Sequence, residues 1–167
     1  MIGLSIAKFY SALGYSVVVL EKESRAGEGI SSRNSGVIHG GMYYPANSLK
    51  TKFCIEGNKM LYKYAKLKNI SHKKLGKYII ASQDSDLNKL DKIYEQGISN
   101  RAKIKRCSKD EMQAEYPDLI LAGGIYSSET GIIDVPELIS ALEGDIQRNS
   151  GTVAFNTSFK SATKVDN

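Results

Sequence analysis

Cysteine is nearly absent from this chain: Cys54 and Cys107 are the only two among its 167 residues. Their spacing suits neither a disulfide framework nor a zinc-ligand set, so a disulfide-stapled secreted scaffold is excluded. No metal site is expected, and a reducing cytoplasmic compartment is the expected location. Long apolar runs are missing as well, since none approaches the ~18–20 residues of a spanning helix. The opening residues, Met1 to Gly14, carry no basic stretch and no small-residue cleavage site, so no secretory leader is expected. Internal repeats and low-complexity tails are also lacking. A composition of 41% hydrophobic and 25% charged residues then removes the disordered, collagen-like and coiled-coil classes. What remains is a globular chain with the length of one domain.

Arginine is scarce beside lysine. The net charge of +5 arises from 18 lysines and 5 arginines set against 18 acidic residues. The lysines are scattered, densest over Lys63, Lys66, Lys68, Lys73, Lys74 and Lys77, without the clustering or interleaved aromatics of a nucleic-acid surface. No nucleic-acid partner is expected. The cluster reads first as a solvated helix face, and secondarily as a peripheral contact with the anionic inner face of a membrane.

Periodicity predicts alternating helices and strands, which argues for an α/β fold. Ile2, Ile6, Phe9, Tyr10 and Leu13 fall at helical spacing and predict one buried stripe. Gly14 follows at a left-handed C-terminal cap. The β-branched run Val17–Leu20 predicts a strand buried on both faces of a parallel sheet. Arg25–Gly41, rich in glycine and serine, reads as a loop. A long helix is predicted from an N-cap at Ser48 to about Lys68, with Leu49, Phe53, Cys54, Met60, Leu61, Tyr64 and Leu67 on its apolar side. His72 falls in an exposed connection. Further along, a strand is predicted over Lys77–Ser82, and a helix over Asp84–Gly97 through Leu87, Leu90, Ile93 and Tyr94. A capping box at Ser108 and Glu111 opens a short helix that ends before Pro117. Another strand follows over Gly124–Ser128. Asp134, Pro136 and Glu137 mark the clearest helix start, continued by Leu138, Ile139, Leu142 and Ile146, with a last strand over Thr152–Asn156.

The chemistry-bearing residues begin with the first turn. A dinucleotide fold opens with a strand, then G-x-G-x-x-G, then a helix. Met1–Ala7 matches only the end of that fingerprint, with Gly3 as its third glycine. Glu21 follows Gly3 by 18 residues at the end of a strand, where a carboxylate can accept hydrogen bonds from a ribose hydroxyl. In the loop, Ser31, Ser32, Arg33 and Asn34 offer donors, while Gly36, Gly40 and Gly41 permit close backbone approach.

The run Gly29–Pro45 (GISSRNSGVIHGGMYYP) resembles the second flavin-contacting segment of the FAD-dependent oxidoreductases of the D-amino-acid-oxidase superfamily. More narrowly, it resembles the L-2-hydroxyglutarate oxidase/dehydrogenase family. Ser48–Gly57, Gly124–Asp134 and Val153–Thr157 are similar to later segments of the same family, so the resemblance covers nearly the whole chain.

That resemblance implies a partial doubly wound, Rossmann-like FAD-binding domain over 1–76 and 130–167. An incomplete α+β substrate domain would be inserted over 77–129. It implies FAD as cofactor, contacted by Gly3, Glu21, Lys22, Ser31, Ser32, Arg33, Asn34 and Gly36, with Phe159 presenting a backbone contact to adenine. Arg33 has the alternative role of a surface ion-pairing residue. The implied reaction is oxidation of a small-molecule L-2-hydroxy acid, foremost L-2-hydroxyglutarate to 2-oxoglutarate, with electrons passing to oxygen or a respiratory acceptor. His39 is implied beside the flavin ring, either as base or orienting group, or as a packing residue of the loop. Tyr43 and Tyr44 either wall the substrate cavity or pack beneath the loop. An amino acid or glycerol 3-phosphate is the alternative substrate, and a non-catalytic remnant the alternative role. Because the first strand and two glycines of the fingerprint do not occur, the expectation is a fragment that binds flavin poorly alone and turns over nothing.

Overall fold

The computed structural model describes residues 1–164. The elements, in chain order, begin with α1 (Ile2–Ala12), β1 (Val18–Leu20), β2 (Val37–Ile38), α2 (Leu49–Leu67) and β3 (His72–Lys73). They continue with β4 (Lys77–Ala81), α3 (Leu87–Ser99), β5 (Ile104–Cys107) and α4 (Lys109–Glu115). The last are β6 (Gly123–Ser127), β7 (Gly131–Ile133), α5 (Val135–Arg148) and β8 (Thr152–Ala154). Two compact units result: Met1–Ser35 with Asp134–Asn167, and Gly36–Ile133.

In the first unit, β1 and β8 pair in parallel, Val18 beside Thr152 and Leu20 beside Ala154. Helices α1 and α5 pack on one another. Asp134 caps α5 as expected, accepting a hydrogen bond from the Glu137 amide at 2.8 Å. Leu138, Ile139, Leu142 and Ile146 of α5 are buried. Gly14 has φ +85°, as its capping position requires.

Two faces of this unit differ from expectation. The stripe predicted to be buried on α1 faces outward, with Ile2 81% and Phe9 61% exposed, and Ile6, Tyr10 and Leu13 exposed too. Leu4, Ala7 and Ser11 are buried instead. Helix α1 packs on α5, and the face that is covered is not the one that carries most of its apolar residues. The parallel strand β1 is likewise not enclosed on both faces: Val18 and Leu20, two residues apart and so on one face, are exposed, and among the described residues only β8 pairs with it.

The second unit holds two antiparallel three-stranded sheets, ordered β2-β7-β3 and β4-β6-β5. The first has Ile38 opposite Gly131 and His72 opposite Ile133. His72 is therefore a half-buried strand residue, its Nδ1 2.7 Å from the Ile70 carbonyl, and not part of an exposed connection. The second sheet carries the core, where Ala81, Leu90 and Ile125 meet Ile79, Leu87 and Ile104. Cys107, Met112 and Leu121 form an adjoining cluster beneath Tyr78 and Tyr126. Helix α2 starts at Ser48, whose Oγ accepts from the Thr51 amide at 3.1 Å. Helix α4 opens with the full capping box of Ser108 and Glu111. The apolar side expected for α2 is exposed at Leu49, Phe53, Met60 and Leu67, while Thr51, Asn58 and Ala65 are buried.

The boundaries expected at 76/77 and 129/130 fall inside the second unit. The sheets themselves follow the expected division: β2-β7-β3 lies wholly within 1–76 and 130–167, and β4-β6-β5 wholly within 77–129. Residues 165–167 of the expected first domain lie outside the described residues.

Candidate functional site

In the first unit, the candidate residues gather at the start of α1 and past the carboxyl ends of the parallel strands. A helix beginning leaves its first amide N–H groups without carbonyl partners inside the helix, and the macrodipole adds partial positive charge there. Gly3 sits in that turn, and a Cβ built on it meets nothing within 4 Å. The Met1 ammonium donates to Ser31 Oγ at 3.4 Å, bringing the loop turn Ile30–Ser32 to the same end. Ser32 Oγ donates to the Gly29 carbonyl at 2.8 Å, and Asn34 Nδ2 donates to the Ser31 carbonyl. Both side chains thus build the turn itself. Arg33 closes the turn with an exposed side chain, and its amide donates to the Ile30 carbonyl at 3.1 Å.

Glu21 directly follows β1. Its amide donates to Ala154 and its carbonyl accepts from Thr157, each at 2.9 Å, so its backbone is held between β1 and the chain after β8. Its Oε1 accepts from the Glu23 amide at 3.1 Å. Lys22 pairs with Glu23 at 3.3 Å, and Phe159 is exposed beyond β8. In open α/β sheets ligands bind at the carboxyl ends of parallel strands. Helix-start amides, an uncrowded glycine and a strand-end carboxylate form a donor and acceptor set that fits a pyrophosphate and a ribose.

In the second unit, Gly36 to Tyr44 forms a locked loop. Gly36 (φ +64°) would place a Cβ 2.9 Å from the Ile133 carbonyl, and Gly40 one 2.9 Å from Ser127 Oγ. At Gly41 (φ +81°) the Cβ would fall 2.6 Å from Ile55 Cγ1. The space a side chain would take at these glycines is occupied by the protein's own atoms. Two buried asparagines, which the sequence reading missed, hold the loop's carbonyls. Asn58 Nδ2 donates to His39 O at 3.0 Å and to Glu129 O at 2.9 Å. Asn100 Nδ2 donates to Gly41 O at 3.0 Å and to Tyr44 O at 2.8 Å. The one available signal was Asn58 itself, a polar residue within a long helix. Met42 is inserted into the core, so His39 and Tyr43 on either side point outward.

The electrostatics around His39 are one-sided. Partial burial lowers its pKa below the ordinary histidine value, and the charges of Lys77 and then Lys50 lower it further. The imidazole is thus neutral at pH 7, with one ring nitrogen able to accept a proton. Lys77 Nζ lies 4.4 Å from the Tyr43 ring centroid, and Lys50 Nζ 4.1 Å from that of Tyr44. Among the described residues no group of acidic and histidine side chains could hold a metal ion, and no helix is long and apolar enough to cross a membrane.

Over residues 1–167 the chain matches the family described as DAO: FAD dependent oxidoreductase. It is similar to "L-2-hydroxyglutarate dehydrogenase, mitochondrial" of Arabidopsis thaliana, 35% identical over 176 residues, covering 94% of this chain and 36% of that protein. The protein of the same name from Pongo abelii is 34% identical over 146 residues, covering 87% and 35%. This chain therefore spans about a third of the length of the curated relatives it matches. Among solved structures, the L-alpha-glycerophosphate oxidase of Mycoplasma pneumoniae superposes with a TM-score of 0.80 at 24% identity, covering 92% of this chain and 42% of that one. Glycine oxidase of Geobacillus kaustophilus superposes with a TM-score of 0.81 at 18% identity, covering 93% and 44%. These superpositions establish the shared fold.

Proposed function

Because the chain belongs to the FAD dependent oxidoreductases of the DAO family, we propose that it contributes to oxidation of an L-2-hydroxy acid, L-2-hydroxyglutarate to 2-oxoglutarate. FAD, when bound, supplies the two-electron acceptor for the hydride leaving the substrate's C2. The first unit's part is to hold the dinucleotide: the α1 start and Gly3 toward the pyrophosphate, and Glu21 toward a ribose hydroxyl. Arg33, Lys22 and the backbone of the Ile30–Ser32 turn and of Phe159 add further contacts. The second unit's part is the proton. His39 takes the substrate's hydroxyl proton on its unprotonated ring nitrogen as the C–H bond breaks, so one proton and one hydride leave and a ketone forms.

The observation that carries this reading is His39 itself, neutral at working pH and presented outward from a loop fixed by Asn58 and Asn100. The identity with proteins named L-2-hydroxyglutarate dehydrogenase supports the substrate. Tyr43 and Tyr44 wall the side on which the substrate enters. Oxygen or a respiratory acceptor would take the electrons. Location in the cytoplasm with peripheral membrane contact is part of the proposal. It is favoured by the exposed Leu49, Phe53, Met60 and Leu67 on α2, a helix that also carries Lys52, Lys59, Lys63 and Lys66. Sedimentation with vesicles containing anionic lipid tests that contact, and equal recovery with neutral vesicles refutes it.

The central test is anaerobic. Protein loaded with FAD is mixed with L-2-hydroxyglutarate, its D-enantiomer, glycine or glycerol 3-phosphate, and bleaching of the visible flavin band is followed. Bleaching by L-2-hydroxyglutarate alone is the expected result; bleaching by one of the others instead reassigns the substrate. Retention of the band after desalting reads cofactor binding separately, and Glu21→Ala is expected to lower it.

A further inference from the structure

The lysines of the second unit differ in what neutralises them. Lys74 and Lys103 share Glu129, at 2.7 and 3.5 Å, and Lys89 pairs with Asp86 at 2.9 Å. The Lys74 hydrogen bond, before any other influence, holds the Glu129 carboxyl below the ordinary range, so that cluster is internally compensated. Lys50 and Lys77 have no such partner: among the described residues neither makes an ion pair. Each instead rests over an aromatic face, Lys50 over Tyr44 and Lys77 over Tyr43, two neighbouring residues of the same loop.

The position of Lys50 is costly on its own terms. It lies in the first turn of α2, which contains no acidic residue, and there the helix dipole opposes a cation. A cation set against a helix dipole and left uncompensated raises the local potential, which suits a site for an anion. The backbone on each side of the pair is held as well. Asn100 holds the Tyr44 carbonyl at 2.8 Å, and Lys77 opens β4 opposite Ser127 of the central strand. Both lysines also act electrostatically on His39, the residue that separates this face from an ordinary basic patch.

We propose that Lys50 and Lys77 form an anion-recognition pair that holds the carboxylates of a dicarboxylate 2-hydroxy acid beside His39 and so selects dianionic over monoanionic substrates. The assignment rests on the oxidation reading of the preceding subsection and adds the residues that set its substrate class. Tyr43 and Tyr44 hold the ammonium groups partly dehydrated between turnovers, and a carboxylate replaces that weak ring contact by a charge-assisted hydrogen bond.

The test is binding, independent of turnover. The protein is titrated with glutarate, or with butyrate as its monoanionic counterpart, while the His39 ring protons are followed by NMR. Glutarate is expected to bind more tightly than butyrate. Lys50→Met and Lys77→Met, which keep the stem over each ring, should each weaken glutarate by about tenfold and leave butyrate nearly unchanged. Lys50→Arg and Lys77→Arg should recover most of the loss. Equal affinity for the two ligands, or glutarate binding untouched in both methionine variants, overturns the proposal. Tighter binding of glycerol 3-phosphate than of glutarate overturns the dicarboxylate assignment. Lysine-dependent glutarate binding without flavin bleaching by any 2-hydroxy acid would refute the oxidation reading and leave the anion pair standing.

Discussion

Asn100 offers the sharpest test of how the loop bearing His39 is held. Its amide donates to Gly41 O at 3.0 Å and Tyr44 O at 2.8 Å, with Met42 O further away at 3.5 Å. The residue is 6% exposed, so it cannot be replaced by bulk water without rearrangement. Asn100→Ala removes the donor and leaves the acceptors behind. An abandoned buried acceptor costs about 1–3 kcal/mol. The Gly41 carbonyl bears the full cost, and the Tyr44 carbonyl, closer to solvent, recovers part of it from water. The expected destabilisation of the second unit is therefore about 2–3 kcal/mol.

Asn100→Asp separates this argument from simple cavity formation. A carboxylate there faces two carbonyl oxygens, acceptor against acceptor, and only its protonated form restores a donor. The folded protein therefore raises the pKa of that carboxyl above its unfolded value. The raised group contributes stability that is present below the unfolded carboxyl value and is lost as pH rises through the folded one. Peptide-resolved amide hydrogen exchange over 36–133, across pH 4–8, measures both effects. The reasoning is refuted if Asn100→Ala stays within about 0.5 kcal/mol of the parent. It also fails if Asn100→Asp tracks Asn100→Ala with no recovery at low pH.

Partial burial, then Lys77, then Lys50 depress the His39 pKa, so the acid limb of kcat/KM should fall below pH 6.5, with rate rising as the ring deprotonates. Lys77→Met should move that limb to higher pH, and an unmoved limb would remove His39 from the role of base. Gly41→Ala forces a Cβ to 2.6 Å from Ile55 Cγ1 at φ +81° and should destabilise the second unit by about 2 kcal/mol in thermal unfolding. Gly57→Ala, in mid-helix with nothing within 4 Å of the added Cβ, should stabilise by about 0.5–1 kcal/mol in the same measurement. Asp134→Ala removes the acceptor for the Glu137 amide and should cost about 1 kcal/mol in the same assay.

Helix starts were legible residue by residue. Ser48, the Ser108 and Glu111 box, and Asp134 each act on a backbone amide three residues away, so no distant neighbour is needed to decide them. Four strands, β1, β4, β6 and β8, were legible as elements for a similar reason, since apolar runs and flanking turns are local. By contrast, β2, β3, β5 and β7 are two to four residues long and take their form from the partners they pair with. Faces were not. The periodicity of α1 and α2 located apolar stripes correctly as sequence features, yet Ile2, Phe9, Leu49 and Met60 lie in solvent while Ala7, Ser11, Asn58 and Ala65 are buried. Which side of a helix is covered depends on the partner that packs against it, and the α1–α5 contact joins residues more than a hundred positions apart.

The site divides along the same line. The sequence by itself offered a glycine at a helix start, a strand-end glutamate, a glycine- and serine-rich loop and a single histidine within it. FAD and the family came from the resemblance carried by Gly29–Pro45 and the later segments, not from composition or spacing. Tertiary structure alone decided how the loop is held and what surrounds His39. Asn58 and Asn100 reach its carbonyls from 19 and 56 to 59 residues away. Lys77 and Lys50 are brought to Tyr43 and Tyr44 by a β-sheet and a helix start. A hydrogen-bond donor or a charge acts through space, and a sequence orders residues only along the chain. The positions that tune His39 therefore emerged only once the chain was folded.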